Sequence, residues 1–404
     1  MSAAIRNYAL VTAAYWGFTL TDGALRMLVL LHFFELGYTP LEIALLFLLY
    51  EFFGIVTNLI GGWIGSRLGL RITLFFGLGL QVAALIALAA FDAAWPVVAG
   101  IAYVMGCQAL SGIAKDLTKM SSKSAVKVLA PDGADGSLFK WVAVLTGSKN
   151  ALKGIGFFGG GGLLVWLGFS GALYAMAAAL SVVLIVSLLA ISEEIGQVKS
   201  KIRFSAILSK SRTINFLSAA RFFLFGSRDI WFVVGLPLFL AAELGWGHAE
   251  VGGYMAAWVI AYGFVQMLAP KLLSRGAHSP DGSLSRSWIL LLAVVTLAIA
   301  GAVWADLRPG VAVIVGLVVF GFVFAVNSAI HSYLVLAYTD ADHVALNVGF
   351  YYMANAAGRL LGTLLSGIAY QWGGLTACLA ISAMFIVAAW ASSLPLPDLR
   401  RGSP

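Results

Sequence analysis

Seven basic side chains lie in stretches of this sequence that are apolar enough to cross a bilayer, namely Arg26, Lys140, Lys149, Lys153, Arg221, Arg228 and Arg359. Three acidic residues, Asp22, Glu51 and Asp229, share that depth, which leaves a surplus of four positive charges. A charge at mid-bilayer costs roughly 2.5–3.5 kcal/mol, so such residues usually face a bundle interior or a wet cavity. Internal pairing cannot neutralise a surplus of one sign, so the pattern predicts a central cavity that binds a multiply charged anion.

The first apolar stretch carries four polar residues on one helix face. Tyr15, Thr19, Asp22 and Arg26 follow one another at spacings of four, three and four. Asp22 and Arg26 are placed to form an i,i+4 ion pair, which is either purely structural or part of the site. In the second case Arg26 binds substrate, while Asp22 keeps Arg26 in position or takes a proton.

The fifth and seventh stretches carry the remaining basic groups. In the fifth stretch Lys149 and Lys153 share a face with Thr146, and this stretch contains no acid that could neutralise them, so anion binding is predicted. Lys140 lies near the end of the same stretch and is expected to extend to the membrane–water interface. Arg221 and Arg228 lie two turns apart, and Asp229 is expected to pair with a neighbouring helix. Arg26 and Arg228 are expected to face each other across the cavity, because the first and seventh stretches are equivalent in the two halves of the chain. An arginine fork matches two oxygens of a tetrahedral oxyanion.

Further polar residues lie at similar depth in other stretches. Four side chains complete the predicted substrate contacts: Tyr15, Gln108, Asn327 and Asn355. Glu51 and His331 are each compatible with two roles, carrying protons or stabilising the fold, and for Glu51 pairing with a basic residue is favoured. The candidates for coupling or ion pairing are therefore Asp22, Glu51, Asp229 and His331.

The composition fixes the class of protein that positions these groups. The chain has 404 residues, of which 61% are hydrophobic and 11% charged, with a mean hydropathy of +0.95, and this excludes a soluble globular protein. A span needs about 20 residues and must be helical, since lipid offers no hydrogen-bond partners. Twelve spans are predicted, at about 8–34, 41–65, 72–91, 96–114, 138–166, 170–191, 214–242, 249–273, 288–305, 310–338, 345–370 and 373–394.

The basic residues outside the spans predict the orientation. With a cytoplasmic N-terminus, 17 of the 25 Lys and Arg residues fall in cytoplasmic segments, and only Arg308 falls outside. This positive-inside bias predicts a multi-pass membrane protein with both termini in the cytoplasm. It also accounts for the basic net charge without a nucleic-acid partner.

The two halves of the chain repeat one another. Glu35-Leu36-Gly37-Tyr38 recurs as Glu243-Leu244-Gly245-Trp246, and Ser66-Arg67 recurs as Ser274-Arg275, each 208 residues later. The predicted organisation is a six-helix half over 1–191, a cytoplasmic loop over 192–213, a second half over 214–394 and a tail over 395–404. Internal repeats with a site near mid-membrane are typical of secondary transporters. The pattern resembles the major facilitator superfamily, an all-α fold of twelve transmembrane helices in two pseudo-symmetric six-helix halves.

A loop motif supports that resemblance. Members of the superfamily usually carry Gly-x-x-x-Asp-Arg-x-Gly-x-Arg after the second span, and Gly62 to Arg71 fit this pattern except that Ser66 replaces the acid. Gly62, Arg67, Gly69 and Arg71 are therefore predicted to form a cytoplasmic gating loop.

Longer blocks resemble a narrower group within the superfamily, the ArsJ-type organoarsenical efflux permeases. The matching blocks are Thr19–Met27, Tyr50–Leu59, Gln108–Met120 and Leu145–Gly154. The resemblance implies export of 1-arseno-3-phosphoglycerate and arsenate resistance. It also implies a functional link to a glyceraldehyde-3-phosphate dehydrogenase, which makes this ester by using arsenate in place of phosphate.

Alternatives remain open at this stage. An organophosphate or phosphate exchanger would use the same basic residues, and an anion sensor built like a transporter belongs to another class. Enzymatic activity is not expected, because no nucleophile–base pair or metal cluster stands out, and no cofactor is implied. The expected partners are a small anionic substrate and the lipid bilayer around a monomer. Coupling to protons and uniport driven by the membrane potential are both compatible with the sequence.

Overall fold

The computed structural model describes residues 3–38, 42, 45–129, 135–191, 211–246, 248–273, 279–340 and 343–398. Within these ranges the side chains of residues 3–5, 30–31, 34, 62, 65–67, 128–129, 135–137, 241, 248–249 and 252 are not described.

Helices make up the described part of the chain. They are α1 (Ala3–Glu35), α2 (Leu48–Leu68), α3 (Leu70–Ala89), α4 (Val97–Leu129), α5 (Asp135–Ala190), α6 (Arg212–Phe232), α7 (Gly235–Leu238), α8 (His248–Leu273), α9 (Gly282–Trp304), α10 (Pro309–Ala337) and α11 (Val344–Ser393). A π-helical segment, Phe239–Glu243, continues α7. The predicted all-α fold is confirmed, and each of the twelve predicted spans coincides with helix in the described residues.

Two of the long helices each contain two predicted spans. α5 is broken at Gly168, whose φ is 66°, and α11 is broken at Gly373 and Gly374, where Gly374 has φ 59°. Residues with a side chain rarely adopt such positive φ values, so glycine permits these sharp breaks. Gly374 lies 206 residues after Gly168, so the breaks occupy equivalent places in the sequence repeat.

The repeated Glu-Leu-Gly sequences end their helices in a similar way. Gly37 has φ 84° and Gly245 has φ 68°. The next residue folds back in each case, since the Tyr38 amide donates to the Phe33 carbonyl and the Trp246 amide donates to the Leu240 carbonyl, both at 3.0 Å. The sequence repeat is therefore also a repeat of backbone conformation.

The helices present an apolar surface. Seven of them are long and apolar enough to cross a membrane within the ranges the structure covers. Trp166, Trp304 and Trp372 are each at least 80% exposed and lie at or near the ends of predicted spans. Tryptophan is enriched where a bilayer meets water, so these positions fit the ends of membrane-spanning helices.

The chain divides into two compact units. The first comprises Met1–Ala134, Ser148–Leu208 and Asp340–Met353, and the second comprises Asp135–Gly147, Ser209–Thr339 and Ala354–Pro404. In the first, Leu28, Phe33 and Leu85 belong to a buried cluster. In the second, the core is aromatic and includes Trp231, Trp258, Phe320 and Phe324.

Close helix crossings position the charged residues of each unit. In the first unit, a Cβ on Gly156 or Gly160 would lie 2.6 or 2.3 Å from a carbonyl oxygen of α1. In the second, a Cβ on Gly358 or Gly362 would lie 2.1 or 2.5 Å from a carbonyl oxygen of α6. Glycine lets the backbones approach closely at these crossings.

Candidate functional site

Charged residues from four helices meet in the first unit. Their side chains form what we call the first charged cluster, which consists of Asp22 and Arg26 on α1, Glu51 on α2, Lys115, Asp116 and Lys119 on α4, and Lys153 on α5. Four basic and three acidic groups therefore give this cluster, as described, a net positive charge.

The ion pairs of α1 run between helices. Lys153 Nζ donates to Asp22 Oδ2 at 3.3 Å, and the Tyr50 hydroxyl donates to the other oxygen of the same carboxylate. Arg26 Nη2 donates to Glu51 Oε1 at 2.8 Å. The i,i+4 pairing predicted for Asp22 and Arg26 is thus replaced, because the tight crossing of α1 and α5 brings Lys153 to Asp22. Glu51 is thus in contact with a basic residue, the role that the sequence favoured for it.

α4 supplies three members of the first charged cluster that the sequence reading missed. Lys115 Nζ lies 3.8 Å from Glu51 and 3.5 Å from Asp116, and Lys119 also pairs with Asp116. The predicted fourth span ended at 114 and left these residues in a cytoplasmic loop, whereas α4 continues to Leu129. The regular four-residue spacing of its lysines was the signal that could have revealed the longer helix.

Other predicted contacts of the first unit lie on the same helices. Tyr15 and Gln108 are buried, and Lys149 is partly buried one turn before Lys153. Trp16 Nε1 donates to the Ser148 hydroxyl at 2.7 Å, which ties α1 to α5 beside Lys149. Lys140, which belongs to the second unit, is exposed, in agreement with the interfacial role predicted for it.

The second unit contains a smaller group, the second charged cluster, made of Arg221, Arg228, Asp229 and Arg359. Asp229 is 1% exposed and accepts hydrogen bonds from Arg228 Nε at 2.7 Å and Arg359 Nε at 2.9 Å. The predicted pairing of Asp229 with a neighbouring helix is confirmed, since Arg359 lies on α11. With three arginines and one carboxylate, this cluster too has a net positive charge.

Aromatic and polar side chains hold Arg221 and Arg228 of α6 in place. Arg221 Nε donates to Asn355 Oδ1 at 2.9 Å, and its guanidinium carbon lies 3.5 Å from the Phe225 ring centroid. Arg228 lies within 5.7 Å of the centroids of three rings, those of Phe225, Phe232 and Phe324. Such cation–π contacts stabilise a cation without neutralising it. Asn355 acts here as a positioning partner of Arg221.

Asn327 and His331 have partners within the fold. Asn327 Nδ2 donates to the carbonyls of Trp288 at 2.9 Å and Val323 at 3.1 Å. His331 is fully buried, and its Nε2 lies 3.1 Å from the Ser285 hydroxyl. The contacts with Trp288 and Ser285 cross between α9 and α10, so in this structure Asn327 and His331 join two helices.

The predicted gating loop is very short. α2 ends at Leu68 and α3 begins at Leu70, so Gly69, with φ 87°, forms the turn alone. The Arg71 guanidinium lies 5.3 Å from the Phe75 ring centroid. Gly62 and the side chain of Arg67 belong to positions whose surroundings the structure does not describe, and the central loop over 192–210 and the tail from 399 also lie outside it.

Solved structures with a similar fold are transporters. The chain aligns with a bacterial homologue of the iron transporter ferroportin in its outward-facing state at 13% identity and a TM-score of 0.79, covering 96% of this chain and 98% of that one. The human organic anion transporter TETRAN matches at 16% identity, TM-score 0.75 and coverages of 97% and 100%. The E. coli fucose:proton symporter matches at 14% identity and a TM-score of 0.73, covering 97% of this chain and 98% of that one. Likeness at this identity shows the fold alone.

The sequence itself matches a family model. No curated protein sequence matches this chain, but the model described as Major Facilitator Superfamily matches residues 10–330, which is most of its length. Together with the apolar helices, this match shows a multi-pass membrane transporter. The chain belongs to the Major Facilitator Superfamily.

Proposed function

We propose that this transporter exports a multiply charged oxyanion, and specifically the organoarsenical 1-arseno-3-phosphoglycerate. The observation that supports the anion is the net positive charge of both charged clusters, which lie on helices of a membrane protein. Desolvated charge of one sign is costly in this environment unless an opposite charge compensates it. A substrate with several negative charges supplies that compensation.

The chemistry of the basic groups favours oxygen-rich anions. Arg26, Arg228 and Arg359 each present a planar fork that binds two oxygens of one phosphate, arsenate or carboxylate group. Lys153 and Lys149 add ammonium groups, which act as point charges. The proposed ester carries an arsenate and a phosphate group at its two ends, so a protein with several basic groups suits it.

The arsenical itself is proposed from the blocks that resemble the ArsJ-type permeases. All four of these blocks contain members of the first charged cluster: Asp22 and Arg26 lie in Thr19–Met27, Glu51 lies in Tyr50–Leu59, Lys115, Asp116 and Lys119 lie in Gln108–Met120, and Lys153 lies in Leu145–Gly154. The resemblance thus coincides with the residues that carry the charge in the structure. We further propose alternating access, a location in the bacterial inner membrane with both termini in the cytoplasm, and no chemical step on the substrate.

Everted membrane vesicles test the proposal. The vesicles receive arsenate, glyceraldehyde 3-phosphate, NAD and glyceraldehyde-3-phosphate dehydrogenase, and accumulated arsenic is measured. We expect accumulation only when all four components are present, and none in vesicles lacking this protein. Accumulation from arsenate alone contradicts the proposed ester. No accumulation in energised vesicles that contain the protein also contradicts it and favours an organophosphate exchanger, which counterflow of phosphate esters would then reveal.

A further inference from the structure

α4 carries a row of three lysines on one face. Lys115, Lys119 and Lys123 follow at spacings of four residues, so their side chains emerge from successive turns. The side chains of Lys115 and Lys119 are 16% and 13% exposed, and Lys123 is 6% exposed. Lysines that only orient a protein in the membrane lie in cytoplasmic loops and are exposed to water. Burial of an ammonium group, in contrast, requires a specific compensating partner. The positive-inside bias therefore does not account for this lysine row.

Aromatic rings line the lysine row. Lys115 Nζ lies 3.8 Å from the Tyr50 ring centroid, while Lys119 and Lys123 lie 4.8 and 5.1 Å from that of Tyr352. The Tyr352 ring is thus shared by two ammonium groups. Cation–π contact fixes the lysines in place, but a ring carries no net charge and leaves the positive charge available to an anion.

The carboxylates that contact the row are shared. Asp116 contacts both Lys115 and Lys119, and Glu51 lies 3.8 Å from Lys115 but 2.8 Å from Arg26. Glu51 is therefore engaged mainly by Arg26. Among the described contacts, Asp116 is the carboxylate that Lys115 and Lys119 share, so one negative charge faces two ammonium groups.

A buried hydroxyl lies on the same face. Ser122 is three residues after Lys119 and next to Lys123, it is fully buried, and its hydroxyl has no hydrogen-bond partner among the described residues. A buried polar group in this condition calls for an explanation such as an ion. A hydroxyl on the helix face that carries Lys115 and Lys119 is a suitable donor to an oxyanion.

We propose that Lys115, Lys119, Ser122 and Lys123 form a second oxyanion-binding position within the first unit, for a phosphate-type group. Successive helical turns rise by about 5.4 Å, so one tetrahedral anion can contact two neighbouring ammonium groups of the row. Lys115 links this position to Arg26 through Glu51. The inference deepens the proposed function, since an exported anion would use both positions, but binding of phosphate itself does not require that the arsenical be the substrate.

Equilibrium dialysis of radiolabelled inorganic phosphate against the purified full chain in phosphatidylcholine nanodiscs tests the proposal. We expect Lys119→Gln combined with Lys123→Gln to weaken phosphate binding at least about tenfold, which corresponds to 1.4 kcal/mol. The matched control is Lys140→Gln, which removes an exposed lysine and should bind phosphate like the wild type. Wild-type phosphate affinity in the double variant overturns the proposal.

A second pair of variants separates binding from folding. If Lys119 serves only to neutralise Asp116, adding Asp116→Asn to Lys119→Gln restores both the melting temperature and phosphate binding, and that result also overturns the proposal. We expect the melting temperature to recover and phosphate binding to stay weak.

Exchanging phosphatidylcholine for phosphatidylglycerol identifies the source of the anion: competition at the row assigns it to a lipid headgroup, and undiminished binding assigns it to a soluble phosphate. Failure of arsenic export in vesicles leaves the outcome of this binding test unchanged.

Discussion

The Asp22 carboxylate on α1 and the Lys153 ammonium on α5 lie 3.3 Å apart, and the second unit repeats this relationship with Asp229 on α6 and Arg359 on α11 at 2.9 Å. Asp229 follows Asp22 by 207 residues, and Arg359 follows Lys153 by 206. In each unit an acid on one helix thus holds a base on a helix that crosses it closely. These internal carboxylates occupy basic groups that the proposed anion needs, so an incoming anion competes with them.

Replacement of Asp22 by Asn tests that competition. The change is nearly isosteric and removes the counterion of Lys153, so we expect inorganic phosphate to bind the purified protein about fivefold more tightly, or roughly 1 kcal/mol. Equilibrium dialysis measures this affinity. Asp340→Asn, which alters an acid with a side chain 78% exposed, should leave it unchanged. Weaker binding in Asp22→Asn would show that the carboxylate orders the site instead of competing with the anion.

Asp229→Asn is expected to affect stability more than Asp22→Asn. Asp229 neutralises two arginines and is almost fully buried, so its loss leaves two guanidinium groups without their shared counterion. Removal of one partner from a buried ion pair costs about 3–5 kcal/mol. The melting temperature in detergent should therefore fall further for Asp229→Asn. Equal melting temperatures for the two variants would contradict this ranking.

Adjacent glycines on α5 provide a matched test of the crossing with α1. A Cβ on Gly160 would lie 2.3 Å from the Ala24 carbonyl oxygen, whereas a Cβ on Gly159 has no neighbour within 4 Å. We expect Gly160→Ala to destabilise the protein by about 1–3 kcal/mol through overpacking, and Gly159→Ala to be neutral or slightly stabilising in a helix. Thermal unfolding of the two variants in detergent measures the difference. Similar unfolding temperatures would refute the close crossing.

Arg286 on α9 contacts the segment of residues 394–398. Arg286 donates to the Leu396 carbonyl at 3.1 Å and to Asp398 at 2.6 Å, and the Gly282 amide donates to the Pro397 carbonyl. We expect Arg286→Ala to release this segment and to increase amide hydrogen exchange from residue 394 onward. Asp398→Asn retains the carbonyl contacts and should have a smaller effect. Unchanged exchange in Arg286→Ala would mean that the contacts of the Gly282 amide and the Tyr338 hydroxyl with the Pro397 carbonyl suffice to hold the segment.

Hydropathy and charge predicted the helices well, because lipid imposes apolar length on every span. The break at Gly168 lies between two predicted spans, whereas the break at Gly374 lies at the start of the twelfth predicted span. The repeat appears again in the φ values of Gly37 and Gly245. The partners of the charged residues were harder to predict. The sequence brings Asp22 and Arg26 together on one helix face, but the crossing of α1 with α5 decides the pairing, and that crossing depends on three-dimensional packing.

The polar end of α4 shows where hydropathy fails to predict the length of a helix. Lys115, Asp116 and Lys119 lower the local hydropathy, so the span was predicted to stop at 114. Inside the first unit Asp116 pairs with both lysines, and the lysines contact Tyr50 and Tyr352, which lets the helix continue. A one-dimensional pattern does not contain those partners, although the four-residue spacing of the lysines was visible in it.

The central claim is that basic residues of both units bind the exported anion. Uptake of arsenic into proteoliposomes containing only this protein, with the arseno-ester generated enzymatically outside, tests it most directly. Loss of a charge-assisted hydrogen bond costs about 1.5–3 kcal/mol, so Arg26→Ala and Arg228→Ala should each lower kcat/KM roughly ten- to a hundredfold. Arginine-to-lysine variants should retain part of the activity, and Lys140→Ala should retain all of it. Uptake at the wild-type rate by both alanine variants would contradict the account.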